Sequence, residues 1–145
     1  MENIAIDRIQ PNDYNPNEMT DDEFEECKNE VQHLGTIPKP VIVRPHNGVF
    51  IIVDGEHNWR AARDLDFTSV PCEVLEIDDL EAMRQTYKRN MHGTFNPSKL
   101  GEMFKRAIEK SELSQRELAK QYEVSEGTVR NALMAFLQKG QGLSY

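Results

Sequence analysis

The stretch VDGEHNWRAA, residues 53–62, joins the end of an apolar run to the start of a charged, helix-prone segment. Gly55 lies at that junction. Because glycine adopts positive φ without a steric penalty, it lets a strand turn directly into a helix. The free N–H groups and the dipole of a helix start attract anions. The stretch matches neither GxxxxGK[ST] nor GxGxxG, and a glycine in this position is more often a plain turn.

The side chains beside this glycine also favour an anion site. Arg60 and Arg63 lie one turn inside the predicted helix, from where a guanidinium can lean back onto a phosphate. Glu56 could hold a Mg²⁺ ion on that phosphate. In an enzyme, Asp54 or Glu56 would instead be the base that activates a hydroxyl group. Both readings stay open from these residues alone.

The flanking segments predict a small α/β unit. PVIVRP (residues 40–45) and VFIIVD (residues 49–54) flank Asn47-Gly48, a dipeptide typical of a tight hairpin. WRAARDLDF then predicts a helix, residues 70–77 a strand and residues 80–91 another helix. At the start of the chain, the loosely alternating residues 4–9 predict one short strand.

A first helix is predicted over TDDEFEECKNEVQHLG, residues 20–35. Thr20 and Glu23 have capping-box spacing, and Gly35 is the stop signal. Spacings of three and four predict a buried face that comprises Phe24, Cys27, Val31 and Leu34. The acids in its first turns suit the positive end of the helix dipole.

Charge is distributed unevenly along the chain. The formal net charge is −8, and residues 1–30, with ten acids and two bases, account for all of it. Residues 88–110 carry six bases against two acids. This locally basic stretch could face phosphates, or it could be ordinary uneven surface charge.

LSQRELAKQYEVSEGTVRNALMAFL, residues 113–137, predicts two helices joined by a short turn. Ser114 with Glu117 forms a capping box, and Ser125 caps the second helix. The inner positions are Leu118, Ala119, Tyr122, Val129, Ala132, Leu133 and Phe136. This spacing resembles the helix-turn-helix of DNA-binding proteins more than a plain helical hairpin. Glu123 stands where that motif usually has a glycine.

The second helix would enter the major groove by its first residues. Arg130 can reach guanine or phosphate, and Asn131 can pair with adenine. The candidates for DNA contact are Ser125, Glu126, Thr128, Arg130 and Asn131.

Composition restricts the remaining classes. No apolar run is long enough to span a bilayer, and MENIAIDRIQ lacks the basic flank and apolar core of a secretion signal. Cys27 and Cys72 are isolated, without metal-ligand spacing. We therefore expect a cytoplasmic protein with no membrane partner.

The order of these landmarks resembles the ParB family of chromosome-partition and nucleoid-occlusion proteins. GEHNWRAA resembles that family's GERRWRAA box, and PKPVIVRP resembles the QP-x-x-VR strand pair before it. RNMHG and TFNPSKLG resemble, in part, the EN-x-x-R box and the LNP segment after it. The resemblance implies an α+β fold of ParB/sulfiredoxin type. It also implies a nucleotide-binding domain over residues 1–93 and a helical DNA-binding domain over residues 94–145, with the helix-turn-helix at about 114–137.

In that family the first box grips the triphosphate of CTP, and the Asn of the second box helps to hold Mg²⁺. Nucleotide binding closes two protomers into a clamp on DNA. The resemblance therefore implies a nucleoid-associated homodimer that binds double-stranded DNA and a Mg²⁺-nucleotide, with CTP first and ATP or ADP as alternatives. Glu56 and Asn90 are the implied Mg²⁺ ligands. The implied nucleotide-binding residues are Gly55, Glu56, His57, Asn58, Arg60, Arg44, Arg89 and Asn90.

Departures from the family boxes favour binding over turnover. His57 and Asn58 replace two adjacent arginines, and a histidine is mostly neutral at pH 7. Arg89 replaces the glutamate that supports hydrolysis, and Gly93 replaces an arginine. We expect weak CTPase or NTPase activity at most.

Three other functions remain. Asp54-Gly55-Glu56-His57 resembles a turn of a free-serine kinase with the same superfold, so a small-molecule kinase is one. A nuclease is another, although no paired-carboxylate metal site supports it. In the third, the pocket is degenerate and the domain only dimerises or docks a partner.

Overall fold

The computed structural model describes residues 1–140. Along the chain the elements are β1 (Glu2–Ala5), a 3-10 helix (Ile6–Arg8), β2 (Ile9–Gln10), β3 (Asn17–Glu18), α1 (Asp21–Leu34), β4 (Val41–His46), β5 (Val49–Asp54), α2 (Glu56–Asp64), β6 (Ser69–Val74), α3 (Asp79–Arg89), β7 (Thr94–Phe95), α4 (Pro97–Ser111), α5 (Gln115–Tyr122) and α6 (Glu126–Gly140).

These elements form two compact units. The first unit comprises Met1–Asn12 and Met19–Asp78, and the second comprises Asp13–Glu18 and the chain from Asp79 onward. The predicted division at residues 93/94 stays a prediction. Its second part also runs beyond the described residues.

The first unit is built on a five-stranded mixed sheet with the order β1-β6-β4-β5-β2. β1 with β6 and β4 with β5 are antiparallel, whereas β4 with β6 and β2 with β5 are parallel. The predicted hairpin is confirmed: Asn47 (φ 49°) and Gly48 (φ 83°) both have the positive φ that a tight hairpin turn needs. The predicted α+β class is confirmed as well.

The predicted single strand over residues 4–9 is wrong. The 3-10 helix divides it into β1 and β2, which lie at opposite edges of the sheet. Ile4 and Ile9 are both buried, at 4% and 3% exposure. Residues five apart on one continuous strand point to opposite faces, so the chain has to break between them to bury both.

The first helix, α1, has the predicted ends. Thr20 and Glu23 form the reciprocal capping box, and Gly35 ends the helix with φ 72°. Val31 is fully buried, and Phe24 and Cys27 pack against the core. The predicted burial of Leu34 is wrong: it is 45% exposed, since the last residue of a helix lacks the neighbours that cover its middle.

The second unit is helical around an aromatic core, with a small β3-β7 ribbon. Tyr87 stacks on Phe95 at 5.1 Å, and Phe104 meets Tyr122 edge-on at 5.4 Å between ring centroids. The predicted inner faces of α5 and α6 are confirmed. Leu118, Ala119, Tyr122, Val129 and Ala132 are buried, and Leu133 and Phe136 are partly buried.

No helix within residues 1–140 has both the length and the apolar character needed to cross a bilayer.

α4 and α6 lie very close to each other at Gly101. A Cβ atom added there would lie 1.9 Å from the Ala132 carbonyl oxygen and 2.8 Å from Phe136 Cβ. A backbone oxygen in a helix cannot move aside cheaply, so the two helices need a glycine at this crossing.

Replacing this glycine should separate the two helices. We expect Gly101→Ala to lower the free energy of unfolding by about 1–3 kcal/mol through overpacking. Gly127→Ala is the matched control, because the nearest atom to its Cβ would be the Arg130 guanidinium nitrogen at 3.5 Å. Urea denaturation should find this control neutral or slightly stabilised. Equal stability of the two variants would contradict the close crossing.

Candidate functional site

Gly55 connects β5 to α2 under two constraints. Its φ of 102° lies in the region that residues with a side chain rarely adopt. A Cβ atom there would also lie 3.3 Å from Val41 Cα and 3.6 Å from Val41 Cγ1, both in β4. The turn therefore requires glycine for its backbone and for the close approach of β4.

The N-terminus of α2 has no side-chain cap. The Trp59 N–H group makes the first bond of the helix, to the Gly55 carbonyl at 3.0 Å. The N–H groups of Glu56, His57 and Asn58 precede that bond, so they have no acceptor inside the helix. This arrangement of donors at a positive dipole end suits an anion.

Glu56 and Arg60 form an ion pair at 2.8 Å, one turn apart on α2. The Glu56 side chain is 15% exposed and that of Arg60 is 42% exposed. The Arg60 guanidinium also lies over the Phe24 ring, 5.8 Å from its centroid. The basic side chain nearest the helix start is thus accessible, and it is held by one carboxylate and one aromatic face.

His57 and Asn58 carry no positive charge here. Burial lowers the pKa of His57, and Arg60 lowers it further, against the opposing effects of Glu56, Glu23 and Asp54. The ring is therefore neutral at pH 7. Asn58 Oδ1 accepts from the Cys27 thiol at 3.2 Å, and burial raises the pKa of that thiol so that it keeps its proton.

Arg44 lies on β4 and is 8% exposed. Its Nη1 donates to the Ile77 carbonyl at 3.4 Å. Asp54, the last residue of β5, is half-buried. The structure thus places Gly55, Glu56, His57, Asn58 and Arg60 within the first two turns of α2 and its N-cap, with Arg44 in the same unit.

Arg89 and Asn90 belong to the second unit, at the end of α3. Arg89 is exposed, and its Nε donates to Gln85 Oε1 at 3.2 Å. The Asn90 carboxamide donates to the Thr86 carbonyl at 2.7 Å and accepts from Asn17 Nδ2 at 3.3 Å. Sequence reasoning missed Asn17, because the surrounding NPNEM segment shows only turn chemistry.

Within residues 1–140 no group of three or more His, Cys, Asp or Glu side chains could hold a metal ion by itself. A Mg²⁺ ion that is bound together with a phosphate needs fewer protein ligands. That ion takes one or two protein oxygens and completes its shell with phosphate oxygens and waters. Glu56, in the first unit, carries a carboxylate oxygen of this kind.

The turn between α5 and α6 is held by side chains. Ser125 Oγ accepts from the Thr128 N–H group at 3.0 Å and lies 2.8 Å from Thr128 Oγ1. Glu123, where helix-turn-helix motifs usually have glycine, is left-handed with φ 56°, and its carboxylate pairs with Lys88. Glu126, Arg130 and Asn131 are exposed on α6. Ser125 and Thr128 thus fix the helix start, and these three side chains point outward.

The basic stretch of residues 88–110 is largely compensated by acids. Lys88 pairs with Glu123, Lys99 with Glu18, Lys105 with Glu109, Arg106 with Asp13 and Lys110 with Asp79. A phosphate would have to compete with a carboxylate at each. By contrast, Arg116, Lys120 and Arg130 are exposed and form no ion pair with any described residue. Free positive charge is therefore found on α5 and α6.

The mixed sheet with its glycine turn, followed along the chain by α5 and α6, has a fold of ParB type. The model of the ParB N-terminal domain family matches residues 1–91, and the chain belongs to that family.

Two curated relatives illustrate the family. The probable chromosome-partitioning protein ParB of Coxiella burnetii is 29% identical over 135 residues, which cover 92% of this chain and 46% of that protein. The nucleoid occlusion protein of Geobacillus thermodenitrificans is 30% identical over 134 residues, 90% of this chain and 47% of that protein. The chain thus spans about half the length of these relatives.

Two solved structures of the C-terminally truncated chromosome-partitioning protein ParB from Caulobacter crescentus share the fold. The one complexed with CTP-γ-S has a TM-score of 0.58 at 26% identity and covers 97% of this chain and 85% of its own. The one complexed with the centromeric parS site has a TM-score of 0.60 at 24% identity. The match covers 97% of this chain and 79% of that one.

Proposed function

We propose that the chain is a DNA-binding protein of the partition or nucleoid-occlusion type, and that its first unit binds a Mg²⁺-nucleotide, CTP first. The observation that carries the proposal is the Gly55 turn. Its positive φ, the close approach of β4 and the uncapped start of α2 together support a site for a phosphate. The Caulobacter crescentus relative complexed with CTP-γ-S supports a cytidine nucleotide as the ligand.

Phosphate binding would exchange partners at the Glu56–Arg60 pair. In the structure these two side chains neutralise each other at 2.8 Å. A phosphate at the start of α2 offers Arg60 a more highly charged, bidentate partner. Glu56 would then be free to hold a Mg²⁺ ion that accompanies the nucleotide. One pair of residues thereby serves the anion and its counter-ion.

The proposed site is better suited to binding a nucleotide than to hydrolysing it. Neutral His57 and Asn58 offer their backbone N–H groups but no positive charge. Arg89 occupies the place of the glutamate that supports hydrolysis in the family, and a guanidinium cannot act as a base at neutral pH. Hydrolysis, if present, would be slow.

We propose that the second unit reads duplex DNA through α6. Arg130 and Asn131 are exposed near its N-terminal end, and Arg116 and Lys120 add positive charge from α5. Because so few basic side chains lack an ion pair, one copy should have only modest affinity for DNA. We therefore propose that two copies act together on nucleoid DNA. Among residues 1–140 no contact favours a kinase or a nuclease over this function.

Arg60→Ala should weaken Mg²⁺-CTP binding at least tenfold, because it removes charge-assisted hydrogen bonds of roughly 1.5–3 kcal/mol. Isothermal titration calorimetry with CTP, ATP and ADP measures this directly and ranks the nucleotides. Arg8→Ala is the matched control, because Arg8 is an exposed arginine that also stacks on a phenylalanine, 5.1 Å from the Phe50 centroid. Parental affinity in Arg60→Ala, or an equal loss in both variants, would refute the phosphate site.

Arg130→Ala should weaken binding to duplex DNA by about 1–3 kcal/mol, through loss of a base or phosphate contact. Fluorescence anisotropy at several salt concentrations should show parental binding that falls steeply as salt rises. Lys139→Ala serves as the control, since Lys139 is an exposed lysine in the last turn of the same helix. If the parent chain binds no DNA at low salt, the regulator function fails.

A further inference from the structure

Gly127 is the second residue of α6, and nothing that the structure describes around it requires a glycine. Its φ lies outside the left-handed region. A Cβ atom there would have Arg130 Nη2 at 3.5 Å and Ser125 Oγ at 3.7 Å as its nearest neighbours, both at ordinary van der Waals distance. Alanine would therefore fit both the backbone and the space at this position.

The other glycines within residues 1–139 each have a structural reason. Three have positive φ, and two would bring a Cβ atom into collision with another part of the chain: Gly35, Gly48 and Gly55, and then Gly93 and Gly101. Glycine weakens a helix relative to alanine, because it loses more conformational freedom on folding. Gly127 therefore lowers the stability of α6, and no contact that the structure describes offsets that loss.

Gly127 lies on the outward face of α6. Residues at spacings of three, four and seven share one face of a helix, and relative to Gly127 these are Arg130, Asn131 and Met134. All three are exposed, and Met134 is 51% exposed although it is apolar. Val129, on the opposite side of α6, is fully buried. Gly127 thus leaves bare backbone on the face that carries the candidate DNA contacts.

The free positive charge on α5 and α6 favours duplex DNA as the partner of this face. Arg116, Lys120 and Arg130 are exposed and form no ion pair with any described residue. The major groove admits an α-helix, and in helix-turn-helix proteins the first residues of the second helix lie nearest the base edges. In that geometry the turn that contains Gly127 is the part of α6 closest to the DNA.

We propose that Gly127 is a specificity-determining residue: without a side chain, it lets the α6 backbone come into van der Waals contact with duplex DNA, so that Arg130 and Asn131 reach the bases. The inference rests on the proposed function, in which α6 reads DNA. A methyl group at this position would hold the helix away from the groove. The hydrogen bonds of both side chains would then exceed the range of about 2.7–3.2 Å that N–H···O bonds need.

The test compares the stability and the DNA affinity of Gly127→Ala in the 145-residue chain. Urea denaturation should find the variant at least as stable as the parent chain, because alanine favours a helix. Fluorescence anisotropy should show roughly tenfold weaker binding to a duplex that the parent chain selects from a random-sequence pool. Binding to a mixed-sequence duplex at low salt should change little, since the charge is unaltered. A merely structural role would weaken binding to both duplexes.

A double variant tests whether the added methyl group acts on the DNA directly. Because Arg130 Nη2 lies 3.5 Å from the added Cβ, the methyl group could instead act by displacing the guanidinium. Direct contact predicts that Gly127→Ala still weakens binding to the selected duplex when it is added to Arg130→Ala. No further weakening would show that it acts through Arg130 and would overturn the inference. Lys139→Ala, at the far end of α6, is the control and should keep the parental affinity for both duplexes.

The outcomes separate this inference from the function on which it rests. Parental affinity of Gly127→Ala for the selected duplex, or an equal loss on both duplexes, overturns the role of Gly127 and leaves DNA binding intact. A parent chain that binds DNA but selects no sequence contradicts reading by α6, and this inference with it. A parent chain that binds no duplex at low salt overturns the proposed DNA-binding function as a whole.

Discussion

The positive φ of Gly55 is the constraint on which the candidate site depends. It turns β5 into α2 within one residue and lets β4 approach to 3.3 Å from where a side chain would begin. The same choice removes any side-chain cap from α2, since glycine has none to offer. Three N–H groups are therefore left for a ligand, and the Glu56–Arg60 pair lies one turn away. A single backbone requirement of the fold thereby creates the chemistry of the site.

Local signals predicted much of the fold. The Asn47-Gly48 hairpin, the capping boxes at Thr20 and Ser114, and the stop at Gly35 all depend on residues a few positions apart, and each is confirmed. Helical spacing likewise located the buried faces of α5 and α6. The fold as a whole was expected from the order of four motifs, which limits the topology far more than any one of them.

What the sequence could not predict depends on contacts between distant residues. Residues 4–9 alternate like one strand, yet they divide because both isoleucines have to reach one core. The basic stretch of residues 88–110 is uncompensated in sequence, but Asp13 and Glu18, distant in the chain, neutralise part of it. Asn17 and Asn90 are 73 positions apart, and no periodicity or motif predicts that one carboxamide orients the other.

The central claim is that a nucleotide phosphate binds the start of α2. The most direct measurement is the change in backbone amide NMR shifts when Mg²⁺-CTP is titrated into the ¹⁵N-labelled chain. The account predicts that the largest changes fall on Glu56, His57 and Asn58, because their N–H groups would donate to the phosphate. Saturable CTP binding that leaves these three amides unmoved would contradict it.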